Sequence, residues 1–146
     1  MYRQRHVLIL LLLCFMLGNL QVSANTLPTE KPPLFINFCD GAETPADKHA
    51  CTQKRFNNAE VLLNQQFDYF LMFLNDTQYK ENMKAAQNSW IQYRNDECAF
   101  EAAFFEEEIA KRTLELSCLS RLTEERTLVL YNFIPRIRIQ NQKEPR

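Results

Sequence analysis

Glycine is almost missing from this chain of 146 residues: only Gly18 and Gly41 occur. That does not suit a fold built from tight β-turns, which draw on glycine for backbone angles other residues avoid. Histidine is equally scarce, with His6 and His49 alone. A zinc centre wants several His or free Cys at short spacing, and a nucleophilic triad wants a base beside its Ser or Cys. Neither pattern is present, so the sequence predicts no metal, no cofactor and no catalytic residues. Paired carboxylates that might hydrolyse sugars cannot be singled out, because the acids occur in runs such as Glu106-Glu107-Glu108 and Glu124-Glu125 that read as solvated faces. A hydrolase acting on cell-wall glycans is the least supported class.

Long apolar runs are also few. Val7 to Leu17 is unbroken, follows Arg3 and Arg5, and leads to Val22-Ser23-Ala24. This is the layout of a secretory signal peptide over residues 1–24, too short and wrongly flanked for a membrane span. Cys14 sits behind four leucines rather than small residues, which argues against lipidation. No other stretch is apolar enough to cross a bilayer. The expected product is exported, to the periplasm or the extracellular space, with no transmembrane segment in the mature chain.

What remains is 122 residues with 15 Lys and Arg against 18 Asp and Glu, a net of −3. From Pro135 onward the tail is +3, which leaves −6 on the body. An acidic body argues against nucleic acid and suits a basic protein partner, since complementary charge speeds encounter. Four cysteines remain: Cys39, Cys51, Cys98 and Cys118. An even count in an exported chain argues for two disulfides, and three connectivities are open. The sequential pairing, Cys39–Cys51 with Cys98–Cys118, is favoured.

Residues 25–43, with Pro28, Pro32 and Pro33, read as an extended leader. Residues 44–134 form the helical domain. Thr44-Pro45-Ala46-Asp47 is a helix start, with Thr to cap, Pro at the first helical position and an acid behind. Cys51, Ala59, Leu62, Leu63, Phe67, Phe70, Leu71 and Leu74 then recur at three- and four-residue steps. Asp76 or Thr77 can cap a second helix whose stripe is Met83, Ala86, Trp90, Tyr93, Phe100 and Phe104. A third carries Ile109, Leu116, Leu119, Leu122, Leu130 and Phe133, and Pro135 is expected to end it. Residues 135–146 read as a basic disordered tail. Cys98 and Cys118 are 20 residues apart, roughly 30 Å along one straight helix. If they bond, the chain must reverse near Glu106–Ile109. The fold class is therefore all-α: an up-down antiparallel bundle of about three helices, stapled by two disulfides.

One short stretch concentrates chemistry. Gln87 to Cys98 reads QNSWIQYRNDEC and places Gln87, Trp90, Arg94 and Glu97 on one helical face. Arg94 can stack on Trp90 and reach Glu97 or Glu101. Asn64 and Arg126 interrupt the apolar stripes of the other two helices. Gln87, Trp90, Arg94, Glu97, Asn64 and Arg126 together read as a structural polar clamp that fixes helix register rather than as a ligand site.

The chain resembles the lysozyme-inhibitor LprI-like family of small exported bacterial proteins. The resemblance rests on Cys51, then Ala59-Glu60 with Leu63-Asn64, then Gln87, Trp90, Tyr93-Arg94 and Glu97-Cys98, then Cys118 with Leu122-Thr123 and Arg126-Thr127, and it covers about Cys39 to Leu130. Where relatives often have a Gly-Gly-Ser turn before the third helix, this chain reads Glu106-Glu107-Glu108. The resemblance implies a disulfide-stapled helical fold outside the cytoplasm and, as the specific activity, inhibition of lysozyme. Blockade of the enzyme cleft by a protruding segment would achieve it. The candidate partner-binding segments are the turn bearing Glu106, Glu107, Glu108 and Ile109, and the leader around Phe35–Asp40. The rival is an envelope-associated structural or interaction module with no lysozyme link. The oligomeric state is not legible.

Overall fold

The computed structural model describes residue 39 and residues 41–143. The signal peptide, most of the leader, Phe35–Phe38 and Cys14 lie outside the described residues. Three helices follow in order: α1 over Pro45–Met72, α2 over Thr77–Ala102 and α3 over Glu108–Lys143. No strand occurs among the described residues. The helices run up, down and up, so α1 and α3 are parallel. α3 packs against both other helices, and α1 and α2 approach each other little.

Each helix start has a local cause. Thr44 caps α1, its hydroxyl accepting from the Asp47 amide at 3.1 Å, with Pro45 in the first turn. Asp76 caps α2 by accepting from the Gln78 amide at 2.7 Å. Glu107 does the same for α3, its carboxylate accepting from the amides of Ile109 at 3.3 Å and Ala110 at 2.7 Å. The reversals between helices need no glycine. α1 and α2 end on Phe73 and Ala103 in right-handed helical geometry, and no described residue has positive φ.

Two disulfides brace one end. Cys39 bonds Cys51 and Cys98 bonds Cys118, with Cα separations of 5.7 and 5.4 Å. The second joins α2 to α3 and requires the reversal that residues 103–107 supply. At the other end Leu63, Phe70, Leu130 and Ile134 form the apolar core, with Phe67, Met83 and Trp90 packed on it.

The face each helix buries differs in part from the stripes read in the sequence. All eight apolar residues of the α1 stripe are buried or half-buried. On α2 the buried residues are Gln87, Arg94, Cys98 and Ala102, while Ala86, Tyr93, Phe100 and Phe104 are exposed. The Cys98 disulfide faces α3, and Arg94 and Ala102, four residues either side of it, and Gln87, eleven before it, share that inward face. On α3, Ser120, Thr123 and Thr127 are essentially inaccessible, whereas Phe133 is 45 % exposed. Small hydroxyl residues fit between close helices because they are satisfied within their own helix: Ser120 donates to the Leu116 carbonyl at 2.7 Å and Thr127 to the Thr123 carbonyl at 2.9 Å.

A second correction concerns the end of α3. Pro135 was expected to terminate the helix and leave a disordered tail, yet the helix continues to Lys143 with Pro135 inside it. Contacts beyond the proline hold the extension. Ile137 packs on the apolar core. Arg138 donates to the Tyr69 hydroxyl at 3.1 Å and lies 4.6 Å from the Phe73 ring centre, and Asn141 donates to the Phe73 carbonyl at 3.0 Å. These offset an interior proline, which costs a helix about 3 kcal/mol.

Candidate functional site

Two polar residues of the QNSWIQYRNDEC stretch, Gln87 and Arg94, are buried on the inner face of α2. Arg94 is 4 % exposed. Its guanidinium ion-pairs with Glu60 of α1 and donates to the Thr123 hydroxyl of α3 at 2.9 Å. It also lies 5.4 Å from the Phe56 ring centre and 5.3 Å from that of Trp90. One side chain thus ties all three helices. Arg126 also lies over Trp90, 5.6 Å from its centre, and donates to Gln87 Oε1 at 3.0 Å. Burial pushes the Arg126 guanidinium below its ordinary range.

A parallel pair links α1 to α3 directly. Arg55 grips the buried Glu124 with two bonds, 2.7 and 2.6 Å long. The hydrogen bond to Glu124 raises the Arg55 pKa against the opposing effect of burial.

The structure therefore brings together Gln87, Trp90, Arg94 and Arg126 of the sequence-derived clamp, and leaves two members out. Asn64 is exposed, and Glu97 is half-buried and does not pair with Arg94. Their places are taken by Glu60 and Thr123, with Arg55–Glu124 as a second pair that the sequence reading missed. Glu60 carried a signal, since it follows the inward Ala59 within the α1 pattern. Arg55 and Glu124 carried none in one dimension. The bonds of this network run between helices, Arg94 to Glu60 and Thr123 and Arg55 to Glu124, which suits a lock on helix register.

The disulfide-braced end has a different character. Phe104 and Phe105 are 72 % and 45 % exposed at the reversal. Glu106, Glu107 and Glu108 are exposed beside them and Ile109 is half-buried. Their duties differ. Glu107 caps α3, while Glu108 pairs with Arg112 at 2.6 Å, which holds its carboxyl below the usual range. Glu106 has no cation partner among the described residues. Between the starts of α1 and α3 runs an open groove of about 400 Å³ lined by Pro45, Lys48, Glu107, Ile109, Thr113 and Leu114. His49 lies behind it, its Nδ1 3.3 Å from the Thr113 hydroxyl. A second groove, of about 420 Å³, opens at the far end between Phe73, Tyr79, Phe133 and Arg136.

No cluster of three or more His, Cys, Asp or Glu suited to a metal occurs among the described residues. None of their helices is long and apolar enough to cross a membrane. The disulfide-braced end thus presents exposed rings and carboxylates.

Comparison with known proteins gives one match. The family model described as Lysozyme inhibitor LprI matches residues 39–130. No curated protein and no solved structure matches.

Proposed function

The chain belongs to the lysozyme inhibitor LprI family, and from that premise we propose that it is an exported protein that binds a lysozyme and blocks its cleft. Family membership carries the reading, because the matched region spans both disulfides, the clamp and the disulfide-braced end. The geometry supports it in kind. Lysozymes are commonly basic, with a cleft lined by carboxylates. The exposed rings and acids around Phe104 to Ile109 would draw such an enzyme and anchor on it. The groove between the α1 and α3 starts would receive a protruding loop of the partner. Inhibition of this kind needs no catalytic residue, and the protein acts by binding. The clamp serves the function indirectly by holding α2 and α3 in register beneath that end.

The test is binding of the oxidised protein to immobilised chicken-type, goose-type and invertebrate-type lysozymes at increasing salt. Association with at least one class that slows as ionic strength rises is the expected result, since screening shortens the reach of charge. No association at any salt would favour the rival, an envelope-associated interaction module. Release of product from cell wall without lysozyme would instead identify a hydrolase.

A further inference from the structure

Three arginines of this structure are seated in the same way. Arg94 lies over Phe56 and Trp90 and pairs with Glu60. Arg126 lies over Trp90 and bonds Gln87 Oε1. Arg138 lies over Phe73 and bonds the Tyr69 hydroxyl. In each case a ring face supports the guanidinium plane and an oxygen takes its edge, the arrangement a planar cation favours.

The outer face of α2 presents the same two ingredients with no arginine. Tyr93, Phe100 and Phe104 stand at seven- and four-residue steps, so they form one stripe, and they are 55 %, 62 % and 72 % exposed. Phe100 and Phe104 meet edge to face at 5.2 Å, which props both rings outward. Asp96 and Glu97 flank the stripe and Glu106 lies just beyond it. None of these three carboxylates has a cation partner among the described residues; Glu101, also alongside, bonds Arg121 at 2.9 Å. Rings at the centre and acids at the rim are the composition of a protein-binding patch.

We infer that the outer face of α2, from Tyr93 to Phe104, is a docking ridge that takes arginine side chains of a basic partner protein. A second copy docking ridge to ridge fits poorly, because it would bring the same carboxylates, and the neighbouring Arg121 is already taken by Glu101. The ridge deepens the inhibitor reading and rests on it only for the partner's identity. It extends the contact surface from the α2–α3 reversal along about three turns of α2. Lysine would serve less well, since an ammonium cannot stack on a ring while its donors reach sideways to an acid.

The test measures affinity of the oxidised protein for a deca-arginine peptide, a deca-lysine peptide and chicken-type lysozyme, with sedimentation run alongside. Two variants probe the ridge: Phe100→Ser with Phe104→Ser, and Asp96→Asn with Glu97→Gln. All four side chains are at least half-exposed or on the rim, so folding should survive, and circular dichroism with Trp90 fluorescence checks it. Tyr79→Ser, exposed on α2 but outside the ridge, is the control. The expected result is tighter binding of deca-arginine than of deca-lysine, and a loss of about tenfold in deca-arginine affinity for each ridge variant but not for the control. Equal binding of the two peptides, or full affinity in both ridge variants, would overturn the inference. So would concentration-dependent dimerisation abolished by Phe100→Ser with Phe104→Ser, which would give the face to a second copy. The two readings separate cleanly. Peptide binding lost in the variants with no lysozyme affinity in the parent keeps the ridge and removes the lysozyme, whereas lysozyme binding untouched by the variants does the reverse.

Discussion

Two guanidinium groups lie over the Trp90 ring, and each is held by an oxygen on α1, α2 or α3. The arrangement is asymmetric in a way that can be measured. Arg94 is nearly inaccessible, whereas the Glu60 side chain is 37 % exposed. Removing Glu60 strands a buried cation, while removing Arg94 frees a carboxylate that water can reach. Glu60→Ala should therefore cost more stability than Arg94→Met, roughly 3 kcal/mol in urea denaturation, the scale for breaking a buried pair from one side. Equal effects would mean that packing, not charge, dominates the clamp. The sequence made Trp90, Arg94, Gln87 and Arg126 legible because helical spacing puts them on inward faces. It pointed to Glu97 rather than Glu60 because only neighbours along one helix can be seen in one dimension. The partner across the gap depends on how α1 docks.

Among the elements, α3 departs most from its sequence. A proline in a polar, basic stretch signals an end, and the signal is overridden by Ile137, Arg138 and Asn141, which find partners on α1 and the core. Two predictions follow from that competition. Pro135→Ala should raise stability by about 1–3 kcal/mol, because it restores an amide and removes a clash with the preceding turn. Truncation after Ile134 should lower the melting temperature, because it exposes Phe73 and its neighbours. If truncation leaves the melting temperature unchanged, the extension contributes nothing. The start of α3 should respond to acid. The folded pKa of Glu108 is lowered by Arg112, so its contribution is present above the ordinary carboxyl range near 4.5 and is lost as pH falls through the lower folded value. The exchange protection of Ile109 to Thr113, taken relative to the intrinsic rate at each pH, should fall over that interval and stay level above it. On α2 the apolar spacing was visible but its orientation was not. Cys98 fixes the inward face, and the aromatic stripe read as core lies largely outside.

At the scale of the whole molecule, the two ends divide the work. One end carries the apolar core and the basic last turns of α3. The other carries both disulfides, the exposed rings of Phe100, Phe104 and Phe105 and Glu106, unpaired among the described residues. Two cross-links at the acidic end make sense there, because the apolar core lies at the opposite end and seven buried polar or charged residues thin it further. Each disulfide should stabilise by about 2–4 kcal/mol, so reduction should bring the urea midpoint down in two steps as the bonds are opened in turn. The count of helices was readable from caps and apolar spacing; the disulfide pairing was only favoured among three open connectivities, and the reversal expected near Glu106–Ile109 falls at residues 103–107. The identity of the partner is read from the family and from the character of the braced end. The most direct measurement is turnover of cell-wall substrate by chicken-type lysozyme at increasing ratios of oxidised protein. Dose-dependent loss of turnover that disappears on reduction is the predicted result; undiminished turnover at high excess of the folded, oxidised protein, with goose-type and invertebrate-type enzymes equally unaffected, would contradict it.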